Sequence, residues 1–359
     1  MKTHSLNPTA KRLLSTLKVE ALCPPPMWLM RHAGRFLPEF RAMRAKADFM
    51  TRWMTPYIAT ELTLQPIRRF GMDGAILFSD ILILPWAMGQ SLDFVAGTGP
   101  VLGAIRTAQD LDKLDAGMIA EKTAPVLETL TRLRGILDGP DSIGAAAPGS
   151  TTLMGFTGSP FTVACYMVEG GGSKEFAQTR RMAFAEPALF DRLIDLLTTT
   201  TADYLCAQVE AGAEAVMLFD SWAGLLPPSQ FRRHVIEPTR QIVAALKARY
   251  PHVRVVGFPR LGGVMVAEYA RQTGVDVVAL DTGADIAQIR PLLPAGVGIQ
   301  GNLDPISVLA GGEAMRAEAR AICHAGRGLP HVFNLGHGVL PETPVEHVED
   351  LVRIVREGA

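Results

Sequence analysis

Short apolar runs and amphipathic segments alternate along the whole of this 359-residue chain, and that alternation limits the folds open to it. The apolar runs fall at Met27–Met30, Ala75–Phe78, Thr151–Phe156, Ala215–Phe219, Val253–Gly257, Val277–Leu280, Gly296–Gln300 and His331–Asn334. Helices are expected between them, near Pro56–Phe70, Glu121–Leu137, Lys174–Phe184, Pro187–Ala211, Pro228–Ala248, Val264–Gln272 and Ile286–Leu293, with a closing helix over Pro344–Arg356. A further helical segment follows Gly158-Ser159-Pro160, with Ser159 as its cap, and breaks at Glu169–Gly172. Residues 91–120 read as an irregular excursion and 138–150 as a loop rich in glycine, proline, aspartate and serine. Strands alternating with helices imply parallel strands joined by crossovers. Eight such strands predict an α/β fold of the closed (β/α)8 TIM-barrel type. A doubly wound sheet is the runner-up, but no GxGxxG follows the first strand. No linker divides the chain, so residues 1–359 are expected to form a single domain. A short N-terminal helical extension precedes it, with Leu13, Leu14 and Leu17 on one face.

Composition excludes several classes of function. A net charge of −1 does not suit a general nucleic-acid binder, which would carry a strongly basic face. Cys23, Cys165, Cys206 and Cys323 are scattered, without a CxxC pair, as in a reducing cytoplasm. The N-terminus lacks the continuous apolar core of a signal peptide. The most apolar stretch, Ala75–Met88, is interrupted by Ser79, Asp80 and Pro85 and is too broken to span a bilayer. The expected protein is cytoplasmic, with no membrane and no nucleic-acid partner.

Against this near-neutral background one segment stands out, Trp28–Arg44, WLMRHAGRFLPEFRAMR. Arg31, Arg35, Arg41 and Arg44 crowd it, with Glu39 as the only acid. Ala33-Gly34 lets the backbone bend between the first two arginines, so both can point into one space. Guanidinium groups placed in this way suit carboxylate or phosphate, because each donates two parallel hydrogen bonds. On its own the segment also fits a solvated charge run at a helix start.

In (β/α)8 barrels the site lies at the C-terminal ends of the strands, and the unusual polar residues fall there. Arg31 and Arg35 follow the first strand, and Asp80 ends the second. Asp220-Ser221 ends the fourth, Asp281 the sixth, Asn302-Leu-Asp304 the seventh, and His337 follows the eighth. Each has a structural alternative: Asp80 as a cap, Asp281 and Asp304 as caps or turn formers, His337 as a satisfied loop histidine. Their shared address favours a site. Gly170–Lys174 lacks the GxxxxGK[ST] spacing of a phosphate loop and reads as flexible glycine. Cys323-His324 has no second ligand pair at zinc spacing, so no metal is expected. Thr198–Thr201 reads as a helix surface.

WLMRHAGRFLPEFRAMR, FSDIL at 78–82, GFTGSPFTVACYMVEGG at 155–171, FDSWAG at 219–224, QGNLDP at 300–305 and FNLGHGVLPETP at 333–344 together resemble the uroporphyrinogen decarboxylase family, in order and from end to end. The resemblance implies a (β/α)8 barrel, a homodimer with facing clefts, no cofactor and no metal. It also implies conversion of the four acetate side chains of uroporphyrinogen III to methyls, giving coproporphyrinogen III in heme biosynthesis. By motif, Arg31, Ala33, Arg35 and Arg44 match the substrate-binding segment. Asp80 matches the aspartate placed at the pyrrole nitrogens, and Tyr166, Ser221 and His337 match the remaining contacts. Two departures are visible: His32 stands where the family usually has glutamine, and Phe36 where it has tyrosine. His32 adds a group expected to titrate near neutral pH beside the arginines.

The chemistry agrees with the resemblance. Loss of CO2 from an acetate on a pyrrole leaves a carbanion, which a ring protonated at the adjacent carbon absorbs. The substrate is then its own electron sink. Such a site needs cationic clamps (Arg31, Arg35, Arg44), an anion beside the developing cation (Asp80) and a proton donor. For the donor, Tyr166, His337, a water and an unusually placed Arg31 or Arg35 stay open. Two rival readings, a zinc-dependent methyl transfer protein and a non-catalytic tetrapyrrole carrier, lack support: His252-Val-Arg254 offers no HxC pair, and Asp80 is hard to explain in a passive anion binder.

Overall fold

The structure is a computed structural model that describes residues 11–95, 97–139 and 149–358. Its frame is a seven-stranded, all-parallel sheet in the order β1-β4-β5-β6-β7-β8-β9. The strands are β1 (Gly74–Ile76), β4 (Thr152–Gly158), β5 (Ala215–Asp220), β6 (Arg254–Pro259), β7 (Val277–Ala279), β8 (Gly298–Gln300) and β9 (His331–Val332). They are buried almost without interruption, as parallel strands covered on both faces must be. Val255, Val256, Val277, Val278 and Ile299 supply β-branched side chains that fit this crowded environment.

The sheet is curled, and its two outer strands flank one tripeptide, Pro26–Trp28. On one side Phe333 N donates to Pro26 O (2.9 Å) and Trp28 N to Phe333 O (3.3 Å). On the other, Asp73 N donates to Met27 O (2.9 Å), and Met27 N donates to Asp73 Oδ2 (2.7 Å). The strand expected over Met27–Met30 is therefore reduced to a single bridge, Met27 with Phe333. The reason is local: Pro24–Pro26 cannot donate, and Arg31 immediately leaves extended geometry, with φ at 61°.

The N-terminal helix Arg12–Leu17 buries Leu13 and Leu17 against the sheet. A Cβ on Gly74 would come within 2.6 Å of Leu13 Cδ2, so glycine there admits the helix. Helices Pro56–Phe70, Pro160–Glu169, Met265–Thr273 and Val345–Arg356 fall close to the expected positions. Ser159 stands at an N-terminal cap position but makes no side-chain capping bond. Helix Pro160–Glu169 ends at Gly170, whose φ of 84° is the left-handed geometry that glycine adopts freely.

Three further expectations need correction. Residues 91–120 contain an antiparallel hairpin, β2 (Leu92–Val95) with β3 (Gly99–Leu102), which docks on the glycine run through Leu102 N to Gly170 O (3.0 Å). Thr198, Thr200 and Thr201 are buried rather than surface residues; Thr198 and Thr200 return their hydroxyls to Ile194 O and Leu196 O, which satisfies them inside the core. The helix expected over Pro228–Ala248 is broken by a π turn at Arg232–Ile236, just ahead of Pro238, which has no N–H to continue the ladder. Most of the 138–150 loop lies outside the described residues. Among the described residues, no helix is long and apolar enough to cross a membrane.

Candidate active site

Asn334 assembles the site by joining the first and last positions of the fold. Its Oδ1 accepts from Met30 N (2.9 Å) and Leu335 N (2.8 Å), and Val339 N donates to Met30 O (2.9 Å). The basic segment is thereby stapled to the loop that carries His337. Arg31 then turns sharply in the left-handed region, a conformation that costs a side-chain-bearing residue roughly 1–2 kcal/mol and that clusters at functional positions. Its stem lies across Gly338: a Cβ there would come within 2.6 Å of Arg31 Cγ and closer still to Cδ. Gly34 must likewise lack a side chain, because Arg31 O stands 2.6 Å from where its Cβ would be. Arg41, part of the expected cluster, braces this turn instead, donating to Arg35 O (3.1 Å) and Phe36 O (3.0 Å).

Asp80 follows β1. Its Oδ1 accepts from Leu82 N (2.8 Å), so it caps the next turn, and its other oxygen has no hydrogen-bond partner among the described residues. Burial raises its pKa to about 6, opposed by the Leu82 N–H and by the positive charge of Arg31. Arg31 is open to solvent, yet the protein around it removes enough water to lower its pKa. Arg260 and Arg35 lower it further, while Tyr166 and Asp80 oppose the shift. That combination belongs to a side chain inside a cleft. Tyr166, half-buried on helix Pro160–Glu169, is pushed upward, first by burial and also by Asp80. His337 is driven down to about 3 by burial and by the charges of Arg31 and Arg260, so its imidazole is neutral near pH 7. Arg35, Asp80 and Tyr166 therefore all act on Arg31, which acts in turn on His337, so that Arg31 links these side chains at the C-terminal rim.

Ser221 and Ala33 are half-buried at the same rim. Ser221 is held by its neighbour: Asp220 is buried and accepts from Thr162 Oγ1 (2.6 Å), which in turn accepts from Trp222 N (3.1 Å). This ties the end of β5 to the helix bearing Tyr166. Phe156 and Phe219, half-buried on β4 and β5, meet edge-to-face at 5.5 Å. Arg44 lies further out, where its charge and that of Arg35 both act on Arg52. Asp281 and Asp304 serve turns and caps: Asp281 accepts from Leu261 N and Gly283 N, and Asp304 from Ile306 N.

Among the described residues, no carboxylate lies within 4.0 Å of Arg31, Arg35, Arg44, Arg52 or Arg260. Elsewhere on the surface the pattern is mixed: Arg68, Arg69, Arg232 and Arg233 each hold an acid, whereas Arg181 and Arg290 do not. The arginines of the first set lie at the rim that holds Asp80, and Arg31 among them acts on its carboxylate. Sequence reasoning missed Arg52, Arg260 and Asn334. Arg52 lies under the rings of Phe40 and Phe49 (5.6 and 5.1 Å). Arg260 directly follows β6, the same strand-end address that singled out Asp80 and Ser221, and that position was its signal.

The family model described as "Uroporphyrinogen decarboxylase (URO-D)" matches residues 8–358. This chain belongs to the uroporphyrinogen decarboxylase family. It is 69% identical over 349 residues to the uroporphyrinogen decarboxylase of Gluconacetobacter diazotrophicus, covering 97% of this chain and 99% of that one. With the protein of the same name from Gluconobacter oxydans it shares 64% over 353 residues, covering 98% and 97%. Among solved structures it resembles a methyltransferase from Methanosarcina mazei, with a TM-score of 0.74, 18% identity and 97% and 98% of the two chains covered, a likeness of fold alone.

One departure from the family pattern has a different meaning from the one expected. His32 is completely buried, both ring nitrogens lack partners, and burial lowers its pKa to about 3. It packs edge-on to Trp28 and does not titrate near neutral pH. Phe36, the second departure, is buried and stacks on Phe70 at 6.2 Å. No group of three or more His, Cys, Asp or Glu residues placed to hold a metal ion occurs among the described residues.

Proposed function

We propose that this chain removes CO2 from the four acetate side chains of uroporphyrinogen III, giving coproporphyrinogen III for porphyrin and heme biosynthesis, without a cofactor. The observation that carries the reading is the set of arginines without acids of their own at the rim that holds Asp80, with Arg31 acting on its carboxylate, in a chain of this family. Arg31, Arg35 and Arg44 clamp carboxylate arms, with the Ala33 backbone beside them. Asp80 accepts from the pyrrole N–H groups and stabilises the ring cation as it forms. Preorganised charge of this kind is the largest contribution in many enzymes. Tyr166, Ser221 and His337 complete the contacts.

Among the candidate proton donors the surroundings favour Arg31. His337 is neutral near pH 7 and Tyr166 is a weaker acid than a free phenol, whereas Arg31 is a stronger acid than usual. Once the ring carbon is protonated, the C–CO2 bond breaks, its electrons pass into the cationic pyrrole and CO2 leaves. The resulting exocyclic carbon takes a proton to become methyl, and the ring carbon gives back the proton it had accepted, which restores the aromatic pyrrole.

The same reading takes Met27–Met30 as the eighth member of a closed barrel; the bonds of Pro26–Trp28 to both outer strands support it. It takes residues 1–359 as one domain, active as a cytoplasmic homodimer with facing clefts. An anaerobic assay with uroporphyrinogen III, scored by the carboxylate count of the products, tests the activity. Products with fewer carboxylates are expected, and stoichiometric binding without turnover would overturn the proposal in favour of a carrier. Light scattering of the purified protein tests the dimer.

A further inference from the structure

Arg260 enters none of the motifs that define the site, yet its placement is as deliberate as that of Arg31. It follows Pro259, the last residue of β6. β6 is the middle strand of the sheet order, as far as any strand lies from the tripeptide that leads into Arg31. Its backbone is fixed from several directions. Arg260 N donates to Asp220 O (3.1 Å), and Arg260 O accepts from Gly224 N (3.1 Å). The next residue, Leu261, has φ at 59° and donates its N–H to Asp281 Oδ2 (2.7 Å). Asp281 is held in turn by Asn302, whose Nδ2 donates to Asp281 O (2.7 Å) and Ala284 O (2.6 Å). A Cβ on Gly224 would overlap Leu261 O, so the two loops are in direct contact. The rim residues Asp281 and Asn302 thus have a role that the sequence left open: they lock the loop that presents Arg260.

The side chain itself is little engaged. It is half-buried, its Nη1 donates to Ser221 O at 3.4 Å, and among the described residues no carboxylate lies within 4.0 Å. Its charge acts on both Arg31 and His337, which places it over the shared cleft and not out in bulk water. A fixed, unneutralised guanidinium with free donors is a carboxylate receptor.

We propose that Arg260 is a further carboxylate clamp, taking an acid arm of the macrocycle from the wall opposite the Arg31–Arg35 segment. This rests on the proposed function and extends it: the polycarboxylate is gripped from both sides of the barrel mouth, so the ring is held level over Asp80. The oxidised, fluorescent uroporphyrin serves as a binding probe, and uroporphyrinogen III as the substrate.

Arg260→Met is expected to weaken uroporphyrin binding and to lower kcat/KM on the order of tenfold to a hundredfold, mainly through KM, as for loss of a charged hydrogen bond. Arg260→Lys should recover part of this, and both losses should shrink at high salt. NMR titration of His337 is independent of turnover: its pKa should rise in Arg260→Met, because a nearby positive charge has gone. Unchanged binding and KM in Arg260→Met, with wild-type turnover intact, would overturn the clamp alone. If the wild type does not turn over uroporphyrinogen III, the underlying reading falls. Uroporphyrin binding then decides the clamp, with loss in Arg260→Met supporting it and equal binding overturning it.

Discussion

The side chain of Arg31 lies across the backbone of Gly338, with Cγ and Nε at 2.6 and 2.9 Å from where a Cβ on that glycine would stand. Residues far apart in sequence are thus in contact at the rim, and the glycine is there for its lack of a side chain, since its φ is not in the left-handed region. Gly338→Ala is therefore expected to fold but to push the Arg31 guanidinium aside by about an ångström, and a misplacement of that size costs on the order of a hundredfold in rate. Circular dichroism and steady-state kinetics on the same preparation check this. Full activity would mean that Arg31 is free to move without consequence.

Asp80 sets the direction of the pH response. It must be ionised to stabilise a pyrrole cation, and its carboxyl is raised to about 6. Activity should therefore rise with pH through about 6 and level off above it. Stability runs the other way. The folded state holds a proton on Asp80 more tightly than the unfolded chain, whose value is near 3.8, so this group's contribution to stability falls as pH rises between about 4 and 6. Asp80→Asn keeps the shape and loses the charge. Its kcat should fall on the order of a hundredfold or more, and the limb near pH 6 should vanish from the rate profile. A variant that retained both rate and limb would remove Asp80 from the mechanism.

Arg35→Lys isolates geometry from charge. The positive charge remains, but the fork that holds a carboxylate through two parallel bonds does not. KM for uroporphyrinogen III is expected to rise on the order of tenfold with the fold unchanged. Equal KM and kcat in the two proteins would show that a point charge suffices at this position.

His32 is expected to be silent in the rate profile. It is neutral down to about pH 3, so His32→Gln should leave the pH dependence of kcat/KM unchanged between about pH 6 and 8, the range in which free histidine titrates. Stability responds instead. The unfolded chain binds a proton near 6.5 that the buried ring refuses, so wild type should lose about 1.4 kcal/mol per pH unit from this residue as pH falls below 6.5. Urea titrations at several pH values should show a shallower acid loss in the glutamine variant. Disappearance of a kinetic limb near neutrality would restore His32 as a titrating partner of the arginines.

Much of the frame was legible because parallel strands covered on both faces leave short, continuous apolar runs, such as Val277–Leu280 and Ala215–Phe219. Met27–Met30 looks the same in sequence but pairs at a single position, since three prolines precede it and a left-handed arginine follows. The hairpin in residues 92–102 was obscured by its glycines and its half-exposed pattern. In the site, Arg31, Arg35 and Asp80 stood out by local contrast with apolar neighbours. Arg260 did not, because Pro259-Arg260 followed by Leu261-Gly262-Gly263 reads as an ordinary turn and the bonds that fix it come from distant Asp220, Gly224 and Asp281. His32 misled for the same reason: nothing in the order of residues reveals that the ring faces inward while the arginine before it faces out.

The guanidinium groups at the rim, left without acids of their own, repel one another whenever the cleft holds only solvent. A polyacidic ring relieves that repulsion, and each CO2 it loses returns some of it. Grip therefore slackens as the work proceeds: the starting material is drawn in most strongly, and the finished product, with the fewest charges to offer, is the species most readily let go.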